Sequence, residues 1–99
     1  EILHVGVCRM MLHLPESQSL KAKRGVARSL AARIQNRFNV SVAEESDGNL
    51  WQRLALVVCC VSNDADQANR MLSSVVNFVE ENLGEVELLD YGTEMISGV

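Results

Sequence analysis

Between Gln18 and Ala43 lie six basic residues, Lys21, Lys23, Arg24, Arg28, Arg33 and Arg37, and no acidic one, in a chain whose net charge is −4. Clustered ammonium and guanidinium groups bind oxyanions, and the guanidinium fork grips phosphate with two parallel hydrogen bonds. The stretch Ser19 to Arg24, SLKAKR, follows Pro15 and opens a run with helical periodicity. Its cations therefore fall at the start of a helix. Backbone N–H groups are unpaired there, which favours an anion and penalises each cation by about 0.3–1 kcal/mol. Like charges three or four residues apart add a few tenths more. At about 100° per residue, Lys21, Arg24 and Arg28 share a sector roughly 60° wide beside the apolar stripe. Lys23 turns toward the core side, where its stem can pack while its amine reaches out. Arg33 lies on the other flank. The pattern reads as a phosphate-binding ridge, with Arg37 and Arg53 as outer contacts. The competing reading is a solvated amphipathic helix whose cations pair with acids folded nearby, such as Glu16, Glu44, Glu45 or Asp47. Arg and Lys are good helix formers, so they need no ligand to explain them.

Other groups carry less chemistry. His4 and His13 fall on opposite faces of one strand and cannot share a metal. Glu44, Glu45 and Asp47 miss the spacing of a calcium loop and read as a solvated hairpin. Trp51, beside Gln52 and Arg53, could stack on a base, but packing over the hairpin end is the commoner role. Ser62, Asn63 and Asp64 lack a histidine partner, and helix capping accounts for them. No nucleophile–base pair or Gly-rich phosphate loop appears, so no catalytic residue, cofactor or metal site is expected. Cys8, Cys59 and Cys60 lie in apolar segments without metal-ligand spacing and read as reduced core thiols, which points to a cytoplasmic protein.

Six elements must position these residues. Ile2–Leu14 is a long strand ended by Pro15. Ser19 to about Asn36 is a helix with an apolar stripe of Leu20, Val26, Ala27, Leu30, Ala31 and Ile34, and Gly25 is its weak spot. Phe38–Val42 alternates as a half-buried strand. Glu44–Asn49 is a turn centred on Asp47-Gly48. Trp51–Val61 is a strand that is apolar on both faces from Leu54. Asp64 closes the cap of a helix running to about Asn82, with Ala68, Leu72, Val75, Val76, Val79 and Leu83 buried and Gly84 as breaker. Glu85–Ile96 is the last strand. The order β-α-β-β-α-β predicts an α+β fold. It is the ferredoxin-like sandwich, a four-stranded antiparallel sheet in order 4-1-3-2 with both helices on one face. Residues 1–99 are expected to form one such domain.

That fold leaves one sheet face uncovered. The third strand sends Leu54, Leu56 and Val58 to one face and Ala55, Val57 and Val61 to the other. The open face is then partly apolar and suits a homodimer or another protein. No apolar run reaches the roughly 20 residues that a bilayer requires, so no membrane is expected. The opening ILHVGVCRMMLHL lacks the basic start and cleavage site of a signal peptide.

Several motifs recur together in known sequences: HVGV at His4–Val7, HLP at His13–Pro15, SLKAKR at Ser19–Arg24, RFNVSVAE at Arg37–Glu44, LWQR at Leu50–Arg53, VSND at Val61–Asp64 and LLDY at Leu88–Tyr91. Through them the chain resembles, over nearly its whole length, the YlxP-like family of short bacterial proteins of unknown function. The resemblance implies a ferredoxin-like fold and brings no catalytic residues with it. Genes of that family often lie beside those for translation initiation and ribosome-maturation factors, which implies RNA or ribosomes as partners. Many members have an acid where this chain has Ala22, so this helix start is more basic than theirs. The expected function is thus a small non-enzymatic module that meets RNA or ribosomal particles through Lys21, Lys23, Arg24 and Arg28, with Arg37 and Arg53 outside them. The alternative is self-association through the open sheet face.

Overall fold

A computed structural model describes residues 2–45, 50–81, 84 and 86–99. The elements are β1 (His4–His13), α1 (Leu20–Arg37), β2 (Ser41–Glu45), β3 (Arg53–Ser62), α2 (Ala65–Glu81) and β4 (Glu87–Ser97). They form one antiparallel sheet in the order β2-β3-β1-β4, which is the predicted 4-1-3-2 order written from the other edge. The β-α-β-β-α-β topology is that of the expected α+β, ferredoxin-like sandwich.

Register explains which residues meet. Cys8, Met10 and Leu12 of β1 lie opposite Val58, Leu56 and Leu54 of β3, and all six are buried. Because side chains alternate along a strand, these residues share one face. Ala27, Leu30 and Ile34 of α1 close over that face, as do Ala68, Leu72, Val75, Val76 and Val79 of α2. Gly6 allows α2 its close approach. A Cβ at Gly6 would lie 3.0 Å from Leu72 Cδ1 and 3.3 Å from Cys60 Sγ.

Two boundaries differ from the sequence expectation. Strand β2 begins at Ser41 rather than Phe38 and includes Glu44 and Glu45, which the sequence assigned to a turn. Phe38 instead ends α1, its N–H donating to the Ile34 carbonyl at 2.8 Å while its ring packs on Phe78. The apolar alternation that suggested an earlier strand comes from this helix end. Acids are tolerated in β2 because it is an edge strand with most of its side chains in solvent. The Asp47-Gly48 turn centre and the burial of Leu83 lie outside the described residues.

Among the described residues, no helix covers the opposite sheet face. Val57 and Cys59 are half-buried there, Ala55 is buried between its cross-strand neighbours Met11 and Glu45, and Val61 is 66% exposed. Arg9 crosses this face, its Nη2 donating to Glu45 Oε2 at 2.7 Å.

Candidate anion-binding surface

Helix α1 starts where the sequence placed it. Ser19 caps it in extended conformation, its hydroxyl accepting from the Ala22 N–H at 3.0 Å, and its carbonyl accepts from the Lys23 N–H at 3.1 Å. No acid occupies the first turn. The cap satisfies one orphan donor and leaves the positive end of the helix dipole at the surface.

The cations of that turn divide by direction. Lys21, Arg24 and Arg28 are exposed. Among the described residues, none of them has a carboxylate within ion-pair distance. Glu45, one of the acids that could have neutralised the ridge, is engaged by Arg9 on the far sheet face. Lys23 departs from the expected surface contact. It is 4% exposed, and its Nζ donates to the Leu50 carbonyl at 3.1 Å. Its stem packs as expected, but its amine is turned into the fold, because a backbone acceptor from the β2–β3 connection lies within reach. Lys23 thus ties α1 to that connection and stands apart from the ridge.

The same contact brings the chain around Leu50 to the helix start. Leu50 and Trp51 are both about half exposed, at 53% and 52%. Gln52 fixes them against the lead-in to α1: its Nε2 donates to the Pro15 carbonyl at 3.2 Å, and its carbonyl accepts from the Leu14 N–H at 2.8 Å. The sequence favoured packing for Trp51, which is about half covered and half exposed, two residues before exposed Arg53.

Two further arginines lie on the opposite flank of α1. The Cζ atoms of Arg33 and Arg37 sit 5.9 and 5.3 Å from the Phe78 ring centroid. Arg37 also lies 5.9 Å from Phe38, and the two rings meet edge to face at 5.7 Å. Between the two basic flanks runs a crest of small exposed residues, Ala22, Gly25, Ser29, Ala32 and Asn36. Nothing lies within 4 Å of a Cβ built on Gly25, so the crest is bare.

The remaining polar groups have structural partners. Asp64 caps α2, its Oδ1 accepting from the Asp66 N–H at 2.9 Å and from the Gln67 N–H at 3.4 Å, and the Ser62 hydroxyl accepts from the Asp64 N–H. His4 Nδ1 lies 2.7 Å from Ser97 Oγ, and His13 Nδ1 lies 3.8 Å from Glu87 Oε1. Cys8 and Cys60 are buried, and burial raises both thiols above their ordinary pKa. Among the described residues, no three His, Cys, Asp or Glu side chains gather as metal ligands would. No described helix is long and apolar enough to cross a membrane.

A family model described as a protein of unknown function (DUF503) matches residues 5–93. The uncharacterized protein YlxP of Bacillus subtilis (strain 168) is 35% identical over 76 residues, covering 77% of this chain and 83% of that protein. The solved structure of the de novo designed protein Foldit4 superposes with a TM-score of 0.47 at 14% identity, covering 100% of this chain and 98% of the design.

Proposed function

The chain belongs to the DUF503 family of proteins of unknown function, and from its geometry we propose that it is a cytoplasmic, non-enzymatic module that binds RNA or ribosomal particles through α1. One observation carries this reading. Lys21, Arg24 and Arg28 project from one flank of a helix start with no carboxylate within ion-pair distance among the described residues. A helix N-terminus already favours an anion, and three unneutralised cations beside it raise the local potential further. A phosphate backbone supplies the missing negative charge and releases counterions when it binds. Exposed Trp51 and Arg53 add a stacking ring and an outer cation of the kind that holds unpaired bases. The overall charge of −4 confines the attraction to this surface and disfavours indiscriminate nucleic-acid binding.

The test is crosslinking in cells followed by sequencing of the attached RNA. The wild-type chain is expected to enrich defined RNAs, and Lys21→Glu with Arg24→Glu to abolish the enrichment. Equal recovery from the two would contradict the proposal. A second reading, association of two copies through the open sheet face, is favoured by exposed Val61 and Ile96 at one end of that face, at 66% and 48%. Light scattering decides it, since a Val61→Asp variant would convert a dimer into a monomer.

A further inference from the structure

The paired arginines at the far end of α1 need their own explanation. Arg33 and Arg37 are one helical turn apart, an arrangement that costs a few tenths of a kcal/mol when both are charged. The negative end of the helix dipole favours cations near Arg37. Dipole and aromatic attraction account for each arginine being there, but they do not saturate its hydrogen-bond donors. A ring face attracts a guanidinium without accepting the fork of N–H groups at its edge. Among the described residues, neither arginine has a carboxylate within ion-pair distance.

Their arrangement meets the requirements of an oxyanion site. Both guanidinium groups are drawn to one ring, that of Phe78, so each loses conformational freedom before any ligand arrives. Phe38 in turn fixes Phe78 edge to face. Arg33, Asn36, Arg37 and Phe78 line a shallow depression of ≈ 470 Å³. Asn36 lines the same depression and offers an amide donor there. A phosphate is the group whose oxygens match two guanidinium forks and an amide at once.

We infer that Arg33, Asn36 and Arg37, held over Phe78, form a second phosphate site on α1. In identifying the phosphate as one of an RNA backbone, the inference rests on the reading of the ridge given above. Arg28 and Arg33 are five residues apart, about 7.5 Å along the axis, and the crest between them carries only small side chains. A strand that leaves the ridge at Arg28 can cross this crest and reach Arg33 within a few nucleotides. The site then sets the direction of the bound strand: along α1 from its start to its end, and from the outer flank toward α2.

The site and the strand are tested separately. First, arginine Nε–H resonances are followed during titration with inorganic pyrophosphate, against sodium chloride at matched ionic strength. The Arg33 and Arg37 signals are expected to move together and saturate with pyrophosphate alone. Phe78→Leu, which retains an apolar side chain, is expected to weaken that binding several-fold. Signals that drift without saturation, or follow chloride equally, overturn the site. Second, an oligouridine of about 12 nucleotides is titrated against the wild type, Arg33→Gln with Arg37→Gln, and Lys21→Gln with Arg24→Gln and Arg28→Gln. The Arg33/Arg37 variant is expected to bind about tenfold more weakly at low salt, with a salt slope smaller by roughly 1.4, the value for two phosphates on a single strand. If it keeps the wild-type affinity and slope while the ridge variant fails to bind, the strand path is wrong and the ridge stands. If pyrophosphate saturates the arginines but the oligonucleotide does not bind the wild type, the ridge reading falls and the pair remains a site for a free phosphate compound.

Discussion

The two helices lie on the same sheet face, yet they satisfy different demands. Helix α2 follows the local rules at its start and along its buried stripe, while Glu80 and Glu81 oppose the dipole in its last turn. Asp64 caps it, Asp66 sits in its first turn, and five apolar residues from Ala68 to Val79 form its buried stripe. Helix α1 is capped by Ser19 but has cations instead of acids in its first turn, a glycine in its middle and a buried lysine among its core positions. Both are stable parts of one core, so the fold does not require the irregularities of α1. A chain able to build α2 could build a second helix like it. On the proposed function, α2 serves packing, and the exposed surface of α1 serves anion binding at a cost in stability.

Predictions can break or sharpen this contrast. The largest effect should come where α2 docks. Gly6→Val places side-chain atoms where a Cβ alone would already meet Leu72 at 3.0 Å. Overpacking of this kind costs about 1–3 kcal/mol, and urea unfolding should register it as a lower midpoint with an unchanged slope. An unaltered midpoint would mean that α2 is not held to the sheet as closely as its geometry indicates. A smaller effect of opposite sign is expected on α1. Lys21→Glu with Arg24→Glu should raise stability by about 1 kcal/mol, since acids replace cations at the positive end of the dipole. That corresponds to roughly 4–8 °C in Tm for a chain of this size. A gain in stability together with a loss of RNA binding would establish that the ridge is retained at the expense of the fold. A loss of stability would mean that these cations have structural partners after all.

Much of this was legible in the sequence, and the misses have local causes. The order of elements, the start of α1 at Ser19, the Asp64 cap and the pairing of the two most apolar strands at the sheet centre follow from periodicity and capping chemistry, which act within a few residues. Lys23 could be placed on the core side of α1, but not bonded to Leu50, because that contact joins segments 27 residues apart. Phe38 looked like the first residue of β2 because its partner, Phe78, lies on α2. The convergence of Arg33 and Arg37 on one ring was invisible for the same reason: helical spacing gives their flank, and only the packing of α2 gives the ring. The ridge of Lys21, Arg24 and Arg28 was readable because three residues on one helix need no tertiary information to share a direction. Whether acids elsewhere would neutralise it was not readable, since Glu45 is committed by its strand to the opposite sheet face.

The most direct measurement is the affinity of the wild-type chain for a short oligouridine as a function of salt. With each ridge cation neutralising one phosphate, the contribution of the ridge to the slope of log K against log salt should be about −2. It should approach zero when Lys21, Arg24 and Arg28 are all replaced by glutamine. No detectable binding at about 50 mM salt, or a slope unmoved by the three substitutions, would contradict the role assigned to α1.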